Sequence, residues 1–215
     1  MGRALAEHLS RDGWRVVVDA RTAAELREAA IGWPDAFVLP GDVTNEAHRA
    51  ELVAAAGERL DLLVLNASSL GQTPLPPLAE YRAEELRAVL ETNTVAPLLL
   101  VQRALPALRA AAGRVVAISS DAAVEGYPGW GGYGASKAAL DQLVRVLAAE
   151  EPGVRAYAVD PGDMRTRMHA AAFPGEDIGD RPAPETVVPA LRRLVDGELP
   201  AGRYTAAELV TEVRS

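Results

Sequence analysis

The chain has 215 residues, of which 49% are hydrophobic and 24% are charged, and it contains no cysteine. This length predicts one domain with a sizeable apolar core, and the lack of cysteine excludes disulfides, zinc-thiolate sites and a thiol nucleophile. The net charge of −8, without a basic cluster, a long apolar run or a signal-peptide pattern, favours a cytoplasmic protein that binds a small molecule or another protein, with no nucleic acid and no membrane.

The first third of the chain alternates between helical and strand patterns. It starts directly in a helical pattern, with Leu5 and Leu9 four residues apart and no strand before them. Thr22, followed three residues later by Glu25, predicts a capping box, and Thr44 predicts the start of another helix. The predicted elements are helix 2–11, strand 14–18, helix 22–31, strand 36–39, helix 44–57 and strand 62–65.

The same alternation continues towards the C-terminus. A long helical pattern contains Pro97 and Pro106, which predict kinks or breaks. The predicted elements are helix 83–111, strand 114–119, a flexible Gly-rich loop 126–134, helix 135–150, strand 154–159, a looser segment 163–183, helix 184–195 and a short strand 202–205. Nearly all-apolar strands that alternate with helices indicate an open α/β domain, with a parallel sheet covered by helices on both faces.

The strongest local signal for chemistry is Tyr133-Gly-Ala-Ser-Lys137. Four residues make about one helical turn, so the tyrosine hydroxyl and the lysine ammonium share a face and can reach one substrate atom. A neighbouring ammonium lowers the pKa of a tyrosine, which makes the hydroxyl usable as a general acid or base. The spacing alone is a weak signal and favours a solvated pair.

A second signal is Ser119-Ser120, at the end of a predicted strand. Ligand sites of open parallel sheets gather at the carboxyl ends of the strands, and a hydroxyl there can bind a carbonyl oxygen as charge develops on it. A serine pair that merely terminates the strand is the alternative.

Taken together and in order, these segments resemble the short-chain dehydrogenase/reductase family of the one-domain, Rossmann-like type. The matching segments are Gly41-Asp42-Val43-Thr44, Asn66-Ala67-Ser68, Asn93, Ser120, Tyr133, Lys137 and Asp160-Pro161-Gly162 with Thr166. The resemblance covers residues 2 to 166, and it implies a doubly wound parallel sheet flanked by helices.

The resemblance implies a role for each matching residue. Tyr133 would be the general acid/base, Lys137 would lower its pKa and hold the ribose of a nicotinamide cofactor, and Ser120 would bind the substrate oxygen. Asn93 would hold a water that links Lys137 to bulk solvent. The implied cofactor contacts are Gly2, Arg21, Asp42, Val43, Asn66, Ala67, Tyr133, Lys137, Pro161, Gly162 and Thr166, and no metal is implied.

The choice of cofactor is predicted from the end of the second strand of the family's sheet. In the family an acidic residue at the position of Ala20 binds the adenosine ribose and selects NAD. Ala20 offers no acceptor here, whereas Arg21 carries a charge suited to a 2′-phosphate. NADP(H) is therefore favoured over NAD(H), although Asp19 lies only one position away.

The start of the chain departs from the family pattern. Family members begin with a strand and a Thr-Gly-x-x-x-Gly-x-Gly turn that holds the pyrophosphate, and Met1-Gly2 align with the last two residues of that turn. The chain is thus interpreted as a single domain over 1–215, truncated relative to the family, with the first central strand absent. That strand belongs between strands 14–18 and 62–65, and its loss predicts a gap of ~9–10 Å.

Three accounts of this gap remain open. Met1 is an internal codon of a longer enzyme, or the flanking strands close up, or a segment of the C-terminal tail or of another subunit fills the slot. The last two would impair pyrophosphate binding. A smaller departure is Ser68, which replaces the glycine of Asn-Ala-Gly and adds a side chain where the cofactor approaches.

Two functions follow. The first is an NADP(H)-dependent oxidoreductase that transfers a hydride between nicotinamide and a carbonyl or secondary alcohol. The second is a catalytically silent member that acts as a binding or partner subunit. The apolar faces of helices 83–111 and 135–150 predict a homodimer or homotetramer. His8, His48 and His169 are interpreted as surface residues, and the substrate is not predicted.

Overall fold

The protein is described by a computed structural model that covers residues 1–211. The helices are α1 Gly2–Arg11, α2 Ala23–Ala29, α3 Glu46–Ala56, α4 Ala83–Leu90, α5 Ala96–Ala111, α6 Gly131–Glu150, α7 Arg167–Ala172, α8 Val188–Asp196 and α9 Ala206–Thr211. The strands are β1 Val16–Ala20, β2 Ala36–Pro40, β3 Leu62–Leu65, β4 Arg114–Ile118, β5 Arg155–Asp160 and β6 Gly202–Thr205. None of the helices in this part of the chain is both long and apolar enough to cross a membrane.

Every strand pairing is parallel, which confirms the predicted α/β architecture. Strands β3, β4, β5 and β6 form one sheet in that order. Strand β4 is buried on both faces. Val115 and Ala117 pack with α5 and α6, whereas Val116 and Ile118 pack with α1 and α8. Because side chains alternate along a strand, an all-apolar strand of this kind needs helices on both sides.

Strands β1 and β2 form a second, separate sheet. Within residues 1–211, neither β1 nor β3 has a strand partner on its other edge, so the account in which the flanking strands close up is wrong. The described part of the C-terminal segment does not fill the slot either, because β6 pairs with β5. Residues 212–215, the rest of the tail, lie outside the described residues. The sheets are connected through α1, whose Leu5 and Leu9 share a core cluster with Val16 and Ile118.

Helix α2 begins where it was predicted, with Thr22 at its N-cap, but the Thr22 side chain makes no capping hydrogen bond. Two other predicted helix starts were wrong. Helix α3 is capped by Asn45, whose side chain accepts from the amides of Ala47 and His48, while Thr44 donates its hydroxyl to Asp42 instead. Helix α6 begins at Gly131 rather than at 135, so the Gly-rich segment is partly helical.

The long helical pattern is divided directly before Pro97, one of the two positions where a kink or break was predicted, and is not broken at Pro106. A π-helical turn, Glu91–Val95, separates α4 from α5, and Pro97 sits in the first turn of α5. Pro106 lies inside α5, which continues to Ala111. Three further features were not predicted. They are helix α7 within the looser segment, the 3₁₀ start of the predicted helix 184–195, and helix α9.

Candidate active site

A cavity of about 530 Å³ lies at the carboxyl ends of the strands of both sheets. Its walls include the ends of β1, β3, β4 and β5 and the segments that follow them, as expected for a ligand site in an open parallel sheet. The volume falls within the usual range for cofactor and substrate pockets. The predicted site residues that line it are Arg21, Asp42, Val43, Asn66, Ala67, Ser120, Tyr133, Lys137, Pro161, Gly162 and Thr166.

The start of α6 sets the position of Tyr133. Gly131, Gly132 and Gly134 allow the first turn of α6 to approach its neighbours closely. An added Cβ at Gly132 would lie 2.1 Å from the Tyr81 hydroxyl, and one at Gly134 would lie 2.5 Å from the Ala122 carbonyl oxygen. The Tyr133 ring is nearly buried and packs edge-on against Trp130 at 5.6 Å between centroids. The glycines thus serve helix packing beside the cavity rather than a loop alone.

Lys137 lies one turn after Tyr133 and is only 1% exposed. It is also the only lysine among the 22 Lys and Arg residues of the chain. Its Nζ donates to the carbonyl oxygen of Ile118 at 2.7 Å and lies 5.6 Å from the centroid of the Tyr133 ring. Burial lowers the pKa of Lys137 to about 8, against an opposing effect of Asp141.

Burial of the Tyr133 side chain raises the pKa of its hydroxyl to about 12. Hydrogen bonding with Ser68 and Ser120 lowers this pKa, while the carboxylates of Asp121 and Asp160 raise it further. Burial therefore outweighs the lowering that we expected from Lys137, whose ammonium is bonded to Ile118 instead. Tyr133 is protonated at neutral pH and can donate a proton.

Ser120 is held at the end of β4 by its own turn. Its hydroxyl donates to Asp121 Oδ1 at 2.8 Å and accepts from the Ala122 amide at 3.2 Å, which caps a short 3₁₀ helix. Ser68 also lines the cavity, and its hydroxyl donates to Asn93 Oδ1 at 3.3 Å. Two hydroxyls thus lie beside Tyr133, although only Ser120 was predicted.

Asn93 and Gly2 are not among the residues that line the cavity. Asn93 is fully buried in the π-helical turn, where its side chain bonds the backbone amide of Ser69 at 2.8 Å and the Ser136 hydroxyl at 2.9 Å. It joins the loop after β3 to α6, and its role towards a water stays a prediction. A Cβ on Gly2 would lie 2.6 Å from the side-chain nitrogen Nδ2 of Asn66, so Gly2 packs against the side chain of that cavity residue.

The other end of the cavity carries Arg21, Asp42 and Asp19. Asp42 accepts from the amide and the hydroxyl of Thr44, at 2.9 and 2.8 Å, and these bonds hold the pKa of its carboxyl below the ordinary value. Burial raises the pKa of Asp19, whose Oδ2 lies 3.5 Å from the imidazole of His48. Asp19 thus lies within ion-pair distance of His48, whose Nε2 makes no hydrogen bond among residues 1–211, while Arg21 remains exposed.

Two of the histidines that we expected on the surface are buried instead. His48 is 6% exposed and packs against Gly41, where a Cβ would collide with the imidazole. The His169 side chain is also largely buried, with its Nδ1 at 3.6 Å from Asp163 Oδ1 and its ring stacked on Phe173. Only His8 is exposed as expected. Neither burial had a sequence signal, because both depend on long-range packing.

Sequence reasoning also missed Arg203 and Asp141, which meet next to the site at 3.0 Å. A sequence signal existed only for Asp141, as a charged residue inside the largely apolar pattern of helix 135–150.

Comparisons with known proteins agree with this geometry. The family model described as short chain dehydrogenase matches residues 1–177. An uncharacterized oxidoreductase of Schizosaccharomyces pombe is 36% identical over 174 residues, which is 80% of this chain and 69% of that protein. Mouse sepiapterin reductase is 36% identical over 191 residues, covering 80% of this chain and 73% of its own length.

Solved structures give the same result. A short chain dehydrogenase from Shigella flexneri in complex with NADP superimposes with a TM-score of 0.86 and 29% identity over 96% of this chain and 92% of its own. Another from Escherichia coli in complex with NADPH has a TM-score of 0.85 and 30% identity, over 95% and 91%. Sequence, fold and site therefore lead to one conclusion: the chain belongs to the short-chain dehydrogenase family of oxidoreductases.

Proposed function

We propose that the protein is an NADP(H)-dependent oxidoreductase that interconverts a small-molecule carbonyl compound and the corresponding alcohol. The observation that carries this proposal is the convergence of Ser120, Tyr133 and Lys137 in one cavity, whose far end is lined by Arg21 and Asp42. We further expect the protein to act in the cytoplasm as a homodimer or homotetramer.

The donor groups of the cavity fit a nicotinamide dinucleotide. Arg21 offers a guanidinium for a 2′-phosphate, and Asp42 and Asn66 offer polar groups for the adenosine end, while Lys137 and Thr166 lie towards the catalytic end. When bound, the cofactor supplies or accepts the hydride at the reacting carbon. The exposed guanidinium of Arg21, next to Ala20, which offers no acceptor, supports NADP(H).

In this proposal the chain's residues handle the substrate oxygen and its proton. The hydroxyls of Ser120 and Ser68 would hydrogen-bond the oxygen and stabilise the charge that develops on it. Tyr133 would donate its proton to that oxygen, and its raised pKa keeps it protonated for this step. At neutral pH Tyr133 therefore holds the proton that reduction of a carbonyl requires. Trp130 and Met168 would form part of an apolar substrate wall.

The catalytic part of the proposal is tested by oxidation of NADPH with a panel of aldehydes and ketones. For an accepted substrate, Tyr133→Phe should lower kcat by at least about 100-fold, because general acid catalysis contributes about that much. Tyr157→Phe is the control, since the Tyr157 hydroxyl donates to the Leu199 carbonyl and does not line the cavity. Near-full turnover by Tyr133→Phe would show that the assigned role is wrong.

The cofactor part is tested by isothermal titration with NADPH and NADH. We expect tighter binding of NADPH, and Arg21→Ser should reduce the difference between the two affinities. Equal or tighter binding of NADH by the unaltered protein would contradict the cofactor proposal without affecting the roles of Tyr133 and Ser120.

A second candidate function is a catalytically silent binding or partner subunit. The separation of the two sheets favours it, because the walls with Arg21 and Asp42 are connected by no strand ladder to the walls with Ser120 and Tyr133. Micromolar binding of NADPH together with turnover would exclude this alternative.

A further inference from the structure

Arg203, on the edge strand β6, reaches three other elements of the active site. Its Nε donates to Asp141 Oδ2 on α6 at 3.0 Å. One of its terminal nitrogens, Nη2, donates to the carbonyl oxygen of Ser120 at 3.0 Å and lies 3.7 Å from Asp160 Oδ2 at the end of β5. A single guanidinium therefore joins α6, the turn after β4 and the end of β5.

The two carboxylates that face Arg203 are withdrawn from solvent. Asp141 is 3% exposed and Asp160 is 9% exposed. A buried carboxylate is costly unless a cation or several hydrogen bonds compensate its charge. Asp160 Oδ1 accepts from the Gly162 amide at 2.9 Å, so part of its charge is compensated locally, but Asp141 has no other partner for Oδ1 within the described residues.

Within residues 1–211, three carboxylates act on Tyr133 or Lys137, and one further cation pairs with two of them. The carboxylates are Asp121 after β4, Asp141 on α6 and Asp160 at the end of β5, and Arg203 on β6 pairs with Asp141 and Asp160. Together with Lys137 they make three carboxylates and two cations, so the guanidinium supplies half of the positive charge.

We propose that Arg203 is a positioning residue of this site, which anchors the main chain of Ser120 and neutralises the carboxylates of Asp141 and Asp160 beside Tyr133 and Lys137. The catalytic consequence rests on the proposed function, whereas the electrostatic consequence depends only on the arrangement of charges. Arg203 itself does not line the cavity, so it acts through its neighbours rather than on a ligand.

Loss of the guanidinium should make the surroundings of Lys137 more negative. Asp141 already acts to raise the pKa of Lys137, against the lowering by burial, and Asp160 raises the pKa of Tyr133. Without Arg203, no guanidinium offsets the effect of Asp141 on the pKa of Lys137 or that of Asp160 on the pKa of Tyr133. The pKa of Lys137 should then rise.

The first experiment needs no enzymatic activity, because Lys137 is the only lysine. Protein labelled with ¹³C at the lysine ε carbon gives one side-chain signal, whose shift with pH reports the pKa of Lys137. In Arg203→Met and Arg203→Gln we expect this pKa to rise by about one pH unit or more. Arg155→Met is the matched control, because Arg155 pairs with Glu198 at the opposite end of β5 and should leave the pKa unchanged.

A double variant separates charge from general damage. Arg203→Met/Asp141→Leu removes one cation and one anion together, and apolar replacement of a buried ion pair is usually tolerated. The pKa of Lys137 should return towards the wild-type value. If the pKa is unchanged in both single variants, or if the double variant stays as high as Arg203→Met, the neutralising role is overturned.

The second experiment measures the anchoring of Ser120 with an accepted carbonyl substrate. Arg203→Met should lower kcat roughly tenfold or more with little change in KM, because misplacement of a reacting group by about 1 Å is enough for such a loss. The double variant should keep this low kcat. A wild-type kcat in Arg203→Met would overturn the anchoring role, whereas a wild-type protein without turnover would count against the proposed function and not against the titration result.

Discussion

Lys137 is the buried basic residue beside Tyr133, and burial lowers its pKa. Every other basic residue of the Lys and Arg type in this chain is arginine. A guanidinium stays protonated at all accessible pH values, whereas burial can lower the pKa of an ammonium towards neutrality. The position beside Tyr133 is thus occupied by a cation whose pKa burial can shift, which a guanidinium would not allow.

This shifted pKa makes stability depend on pH. Folded Lys137 has a pKa of about 8, against 10.5 in the unfolded chain, so the unfolded state binds more protons between these values and stability rises with pH. From pH 8 to pH 9.5 we expect the free energy of unfolding to rise by roughly 1.5 kcal/mol, a range that ends before tyrosine ionisation opposes it. Urea denaturation at both pH values measures this.

The comparison variant is Lys137→Met, which removes the titrating group and should abolish most of the rise. Arg155→Met should retain it. An equal rise in Lys137→Met would mean that another group is responsible.

At the scale of elements, the contact between α6 and the turn after β4 fixes the catalytic geometry. Gly134→Ala would place a Cβ 2.5 Å from the Ala122 carbonyl oxygen, and a backbone atom cannot swing aside as a side chain can. We expect a loss of about 1–3 kcal/mol in stability from overpacking, together with a lower kcat as Tyr133 and Ser120 move apart. Denaturation and turnover assays measure the two effects.

Gly153→Ala is the matched control, since a Cβ there has no neighbour within 4 Å. It should leave kcat unchanged. A Gly134→Ala variant as stable and active as this control would show that the contact does not constrain the site.

The same elements show what sequence can predict. The five apolar strands were placed within a few residues, because a β-branched run between helical patterns has few other interpretations. The helix starts were less predictable. Thr44 and Asn45 can both cap a helix, and the choice depended on Asp42, which engages the Thr44 hydroxyl. The helical start at Gly131 was hidden because glycine normally disfavours helices, and packing against Leu78, Tyr81 and Ala122 overrides that preference.

Residues of the candidate site could be named where sequence motifs mark them, and they were missed where the site depends on tertiary structure. Tyr133, Lys137 and Ser120 could be named because their segments, taken in order, resemble the family, whereas spacing and strand ends alone left other interpretations open. Arg203 could not, because 62 residues separate it from Asp141 and only the parallel order β4, β5, β6 brings them together. The π-helical turn at Asn93 was missed for the same reason, since its hydrogen bonds reach Ser69 and Ser136.

At the scale of the whole molecule, the outer faces of α5 and α6 carry exposed apolar side chains. Leu98 and Val146 are 36% and 40% exposed. If a homodimer or homotetramer forms through these helices, Leu98→Glu and Val146→Glu should each shift the protein towards the monomer, since a charge at the centre of an apolar interface is costly. Light scattering after size exclusion measures the mass. Ile31→Glu, at an exposed apolar position after α2, is the control. An unchanged mass in both variants would place the interface elsewhere.

The division of the strands into two sheets also has a consequence for how the molecule opens. Within residues 1–211, the pair β1–β2 is joined to the four-stranded sheet by packing through α1 and α3 and not by a strand ladder, so it can separate as its own cooperative unit. Amide hydrogens of β1 and β2 should then exchange with solvent faster than those of β4 and β5. A ligand in the cavity would contact both units and bind only when they are packed together. Ligand binding should therefore slow the amide exchange of β1 and β2.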